Sequence, residues 1–360
     1  MSRLLQALAL MAGVACRNPA PPTEGPGVVH ILSGSDDTAS EDGGTVPDVC
    51  DEDPPDTGVD WGDCTFEEVR AGAGYTCALT RTGETACWQD GVLLNGVLPG
   101  TFTTLSNHFM NDLCAVRDDG CLRCERVEGL DDVGLEFLEA VPSGLFVSLD
   151  QTGVWGCALD QLGELSCWAA NYYPDDWGML DPPSGPFVQV ATASTAACAL
   201  RADGTLACWG FQGSDYYFGG YMVSPDHIVE EMPTEGSFVQ LDAGSDTMCA
   251  LGDDGNATCW GMRDLTTPYA FEGGVGTLDG PFTEISLGTH TADRNVCGIT
   301  LDGDLECAYA YGDGVTTAEG PFLDVSSGWY HSCALDNDGH MTCWLHDSER
   351  YDVSMTVPCE

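Results

Sequence analysis

Lysine is missing from this sequence. All 11 basic residues are arginine, set against 58 acidic ones, and the formal charge is −47 over 360 residues. Without a lysine amine there is neither a lysine-bearing phosphate loop nor a Schiff-base nucleophile. A polyanion gains nothing from counterion release on DNA or RNA and is repelled by anionic lipid, so no nucleic acid partner is expected. A serine-centred elbow, an HExxH pair and a glycine-rich dinucleotide fingerprint are also absent, and the seven histidines are scattered. No enzyme activity, cofactor or metal site is therefore expected. Carboxylates are too numerous for any pair to be singled out, and a glycosidase-like dyad stays open on that count alone. No apolar run is long enough to span a bilayer.

The N-terminus carries an export pattern. Arg3 precedes an apolar stretch from Leu4 to Ala15, with Gly13, Val14 and Ala15 ahead of Cys16. The stretch has the length of a signal-peptide core. Residues 1–16 thus read as a signal peptide with Cys16 as a candidate lipidation site; ordinary cleavage after Ala15 is the other route. Residues 17–60 are rich in Pro, Gly, Ser, Thr, Asp and Glu, and such a segment buries too little apolar surface to offset its ordering entropy. It reads as an acidic linker, with the folded unit at 61–360. The expected location is extracytoplasmic, either secreted or lipid-anchored to a bacterial membrane, and the membrane is a partner only through that anchor.

The 19 cysteines resolve into seven pairs, each ten positions apart: Cys77 and Cys87, Cys114 and Cys124, Cys157 and Cys167, Cys198 and Cys208, Cys249 and Cys259, Cys297 and Cys307, Cys333 and Cys343. The chain is a sevenfold repeat of blade-like length. Six residues after each first cysteine stands a glycine, from Gly83 to Gly339. A three-residue hairpin loop takes glycine at its third, left-handed place. With Ala202, Asp203 and Gly204 as the loop, Leu200 faces Leu206 and Cys198 faces Cys208. That is a non-hydrogen-bonded site, with α-carbons about 4.5 Å apart, at the short end of what a disulfide accepts. Seven hairpin disulfides follow, and with them an oxidising compartment. Reduced buried thiols are the plainer alternative. Cys121 with Cys124 has zinc or redox spacing, but Cys124 already has a partner in Cys114.

Upstream of each first cysteine lies a phenylalanine opening a short alternating run, as in Phe187, Val188, Gln189 and Val190, which reads as a strand with one face buried. A tryptophan follows the second cysteine in five units; Glu125 and Ala308 replace it in the second and sixth. The unit formed by Phe322 to Gly328, His331 to Leu335 and Asp338-Gly339 resembles the repeat of the regulator of chromosome condensation family, and the similarity runs over about residues 64 to 359. The resemblance implies an all-β, seven-bladed β-propeller of four-stranded antiparallel blades, here with one hairpin disulfide per blade. The family's Gly-Gln-Leu-Gly segment is replaced in every unit by variable loops.

A closed ring joins its last blade to its first. The tail from Tyr351 to Cys359 reads as a further strand, and its spacing places Cys359 beside Cys64, predicting a clasp between them. Cys50 and Cys121 remain as partners or free thiols.

Loops before each first cysteine and segments after each second cysteine share one face, and variation between units concentrates there. Aromatics in polar loops serve as interface anchors. Tyr172, Tyr173, Trp177, Tyr216, Tyr217, Phe218, Tyr221, Trp329 and Tyr330, together with Arg294, are the candidate partner-binding residues; Tyr75 and Trp155 also stand outside the repeat pattern. His331 falls where the family's repeat has histidine, which implies a structural role. Asp336 to Gly339 imitates the start of a calcium loop but lacks its closing glutamate. The expected function is a monomeric, exported protein-binding module with an unidentified protein partner. Nucleotide exchange on a small GTPase and secreted enzyme inhibition are the alternatives that the resemblance implies.

Overall fold

The computed structural model describes residues 65–89, 92–94, 98–107, 112–126, 140–152, 154–169, 178–211, 216–218, 221–223, 228–261, 275–278, 280–288, 295–309, 315–345 and 354–356. Among them every regular element is a strand. Seven antiparallel sheets succeed one another, each built from consecutive strands. Blade one comprises Phe66–Ala71, Tyr75–Thr80, Thr85–Gln89 and Val92–Leu94. Blades five, six and seven, opening at Phe238, Phe282 and Phe322, also show four strands; blades two, three and four show three among the described residues. A separate two-stranded hairpin, Tyr216–Phe218 with Tyr221–Val223, follows blade four. The described part of the tail, Ser354–Thr356, pairs with Met341–Leu345 as the outer strand of blade seven.

Each blade is organised by its second and third strands. Cys198 pairs with Cys208 and Leu200 with Leu206, and the other six hairpins repeat this register. All seven disulfides form, with α-carbons 4.0 Å apart, closer than the expected spacing but still marking the narrow, non-hydrogen-bonded pair. The turn glycines all have positive φ, between 81° at Gly163 and 89° at Gly83 and Gly120. Cys121 is itself disulfide-bonded, to a partner outside the described residues. With Cys124 joined to Cys114, this removes both the free-thiol and the zinc readings of that pair.

The inner strands depart from simple alternation. Strict period two would set Phe187 and Gln189 on one face and Val188 and Val190 on the other. Instead Phe187 and Val190 are both buried while Val188 is 52% exposed. In the other six blades the same burial pattern comes with a β-bulge, where the register slips between the phenylalanine and the residue two further on and the extra residue is extruded. After the bulge the third and fifth residues beyond the phenylalanine face the core, and the second and fourth face inward to the axis.

The core consists of seven clusters, one at each seam between blades. At the seam of blades six and seven, Cys297, Ile299, Leu305 and Cys307 of one pack against Phe322, Val325, Ala334 and Trp344 of the next. Each disulfide is thus seam packing as well as a hairpin brace. The seventh cluster joins Cys333, Leu335 and Met341 to Phe66, Val69, Ala78 and Trp88 of blade one, so the ring is closed. Backbone bonds repeat the same rule: each turn glycine's carbonyl accepts the N–H of the next blade's phenylalanine, and Gly339 accepts Phe66 at 2.9 Å. No sheet runs from one blade into another, and closure among the described residues rests on packing and hydrogen bonds. The Cys64 to Cys359 clasp and Cys50 lie outside the described residues, as does Cys16.

Candidate functional site

The inner strands surround an axial cavity of about 200 Å³. Two rings of side chains line it, and both work across seams. In the first, at five of the seven seams, the residue two beyond a phenylalanine accepts the N–H three beyond the next one. Glu68 accepts Leu105 N at 3.2 Å and Asp324 accepts Val69 N at 2.6 Å. Gln189 accepts Leu241 N and donates to Leu241 O, both at 2.8 Å, and Gln240 binds Ile285 N and O at 2.9 and 3.0 Å. Glu284 takes Val325 N. In the second ring Asp150 accepts Thr192 N at 2.7 Å, Asp242 Leu287 N at 2.6 Å, Ser286 Ser327 N at 3.0 Å and Ser326 Ala71 N at 2.9 Å.

The electrostatics follow from this crowding. Arg70 faces the cavity beside Glu68, 2.6 Å away, and Asp324, 3.7 Å away. Burial raises the carboxyls of Glu68 and Asp150, pushes Asp242 up to about 7, and together with the neighbouring Asp324 pushes Glu284 up to about 9. Both effects favour the protonated form of Glu284, whose carboxyl accepts from Val325 N–H and pairs with Asp324, in the place that Gln189 and Gln240 take in their seams. These carboxyls are committed to neighbouring blades. The signal for the rings was present in sequence as polar residues two beyond every phenylalanine and four beyond all but Phe187, where Ala191 stands, but the bulge conceals which way they point.

The loop face is described only in part. Tyr172, Tyr173, Trp177 and Arg294 lie outside the described residues. Tyr216, Tyr217, Phe218 and Tyr221 belong to the two-stranded hairpin. Trp329 and Tyr330 sit together in the first loop of blade seven, their rings stacked 5.6 Å apart, with Tyr330 52% exposed. Trp329 N donates to Gly72 O at 3.1 Å, which pins this loop to blade one. Tyr75 and Trp155 are interior residues: the Tyr75 hydroxyl donates to Asp112 O at 3.4 Å and Trp155 Nε1 to Ala193 O at 3.0 Å. His331 is buried with Nε2 2.6 Å from Thr76 Oγ1 across the closing seam, and burial lowers its pKa to about 4.

On the opposite, hairpin face, donor atoms of Asp336, Asp338 and His340 lie within 4.8 Å of one another. Asp336 Oδ1 already accepts the N–H groups of Asp338 and His340 at 2.9 Å each. Asp160 makes the same turn bonds to Leu162 and Glu164, so the cluster is the recurrent hairpin and not a separate device.

Comparison with known proteins agrees with this geometry. Residues 322–344 match the model of the regulator of chromosome condensation (RCC1) repeat. No curated protein matches the sequence. Solved structures do match by fold. The ectodomain of the receptor kinase CR4 from Physcomitrella patens aligns with a TM-score of 0.57 at 19% identity, over 78% of this chain and 73% of that one. The CRINKLY ectodomain of the Arabidopsis thaliana receptor kinase ACR4 gives 0.55 at 17%, over 82% and 99%. Prp20p from Saccharomyces cerevisiae, whose structure was described with its binding to Gsp1p and histones, gives 0.51 at 14%, over 74% and 81%. The chain has the seven-bladed β-propeller fold with a disulfide in each blade, and its last blade carries a match to the RCC1 repeat.

Proposed function

We propose that this propeller is a non-catalytic protein-binding module acting outside the reducing cytosol, with the loop face as its recognition surface. The observation that carries the reading is the seven in-register disulfides, which brace the hairpins and pack the seams while the loops at the other end vary in length and composition. Such rungs persist where thiols are not kept reduced. A rigid scaffold carrying variable loops is a general solution for recognition. The receptor-kinase ectodomains of the same fold support an extracellular setting, and the Prp20p structure supports protein partners as the class of ligand. The channel carboxyls, bound into interblade hydrogen bonds, support a structural role for the groups that otherwise most resemble an acid–base pair.

The stacked Trp329 and Tyr330 form the described part of that surface. The test is affinity capture from the extracellular fraction of the source cell with the full chain and its Tyr330→Ala variant. A partner retained by the parent and lost by the variant, at unchanged melting temperature, supports the reading. Accelerated nucleotide release from a small GTPase would replace it with exchange activity.

A further inference from the structure

The hairpin face holds a second feature, independent of the loop face. The residues next to each phenylalanine lie at the hairpin end of the inner strands, since each phenylalanine N–H binds a hairpin-turn glycine. On three successive blades they are Val147, Val188 and Val239, exposed by 45%, 52% and 57%, and on blade seven the bulge is Leu323 at 61%. Leu162, at a hairpin tip, is 78% exposed. A bulge needs no particular side chain, and Glu67, Thr103 and Thr283 fill it on the other blades. The bulge therefore does not call for valine, and exposed apolar groups at the same place on successive blades mark a contact site when they face one partner.

Around this arc the hairpin tips carry exposed carboxylates, while Arg201 lies over the Phe187 ring, 4.9 Å from its centroid. Hairpin-tip residues Asp203 and Asp254 are exposed, and hydrogen bonds from Thr205 and Asn256 hold their carboxyls below the usual range. Next in sequence to Val239, a notch of about 340 Å³ is lined by Glu235, Gly236, Ser237, Phe238, Asp253 and Asp254, three of them acidic. A second copy of a chain with charge −47 is repelled by such a rim, as is an anionic bilayer.

We propose that the hairpin face docks a cationic amphipathic segment of a partner protein. Its apolar side chains lie on the valine arc and a basic side chain enters the acidic notch. Electrostatic complementarity sets approach and orientation, and the desolvated apolar strip sets affinity.

The test uses the full chain and two labelled synthetic peptides of about 18 residues with equal lysine content, one with leucines on one helical face and one with serines in their place. Fluorescence anisotropy at physiological salt is expected to show the leucine peptide binding about tenfold more tightly than the serine peptide, a preference that Val188→Ser with Val239→Ser removes. Val188→Thr with Val239→Thr keeps the β-branched shape and serves if the serine pair lowers the melting temperature; it should reduce the same preference. Asp253→Asn is expected to weaken both peptides. Equal binding of the two peptides, or a preference indifferent to the valine changes, overturns the proposal. So does a leucine-peptide affinity that rises when Val28 to Leu32 are replaced by serine, since the face would then belong to the chain's own N-terminal run. Self-association by sedimentation that the valine changes abolish would assign it to a second copy and overturn it equally.

Discussion

At the residue scale the most informative group is Glu284. Its carboxyl faces Asp324 and Arg70 inside the channel, with Asp242 on the neighbouring inner strand. Because its folded pKa of about 9 lies above the ordinary 4.5, the folded state binds the proton more tightly than the unfolded chain. The resulting stability is complete below about pH 4.5 and is lost progressively as pH rises to about 9, with a limiting slope of about 1.4 kcal/mol per pH unit for one group. Asp242, pushed up to about 7, adds a loss of the same sign between its ordinary value and neutrality. Glutamine at 284 reproduces the neutral acid. Melting temperatures measured from pH 6.5 to 9, above the range in which buried His331 acts with the opposite sign, should fall in the parent, fall less in Glu284→Gln, and fall least in Glu284→Gln with Asp242→Asn. An unchanged slope in the single variant would mean that Glu284 is ionised at neutral pH. None of this was readable beforehand, since a carboxylate among 58 acquires meaning only when the bulge turns it toward the axis.

At the scale of the element, the hairpin was legible almost completely. The ten-residue cysteine spacing and the glycine at its sixth place describe one covalent object, and the left-handed φ was recoverable because loop length and residue type fix it jointly. The packing around each turn was not recoverable, and it separates otherwise equivalent glycines. A Cβ at Gly163 would lie 2.7 Å from both Phe187 N and Phe187 O, whereas at Gly120 the nearest atoms are 3.4 Å away. Gly120→Ala should therefore cost only the conformational penalty, about 1 kcal/mol, while Gly163→Ala also disturbs the Phe187 N–H bond to its own carbonyl and should cost about 2 to 3 kcal/mol by chemical denaturation. The rungs have a measurable share of their own. Each closes a loop of about eleven residues, and replacing Cys198 and Cys208 together by alanine should remove about 2 to 3 kcal/mol on the chain-entropy account, with a further loss from the emptied seam against Phe238. A pair substitution that leaves the denaturation midpoint unchanged would show that neither the sulfur bridge nor its packing contributes to stability.

At the scale of the molecule the question is how a ring made from one open chain stays shut. Seven units and their order were legible from the repeat, and closure followed from the resemblance, but its means did not. The clasp expected between Cys64 and Cys359 lies outside the described residues, and within them the last seam is built like the other six. Phe66 enters the cluster of Cys333 and Leu335, Gly339 holds its N–H, and Asp324, Ser326 and His331 reach across to Val69, Ala71 and Thr76. In a solenoid the terminal units fray, because they have one neighbour. In a closed ring every blade has two. Phe66→Ala at the closing seam should therefore cost as much as Phe187→Ala within the ring, about 3 to 5 kcal/mol each, with one cooperative transition in both. Hydrogen exchange supplies the finer comparison. Amides of the Tyr75–Thr80 strand should match those of Ala196–Leu200 in protection, and selective early exchange in blade one would mean that the join opens on its own while the other six seams hold.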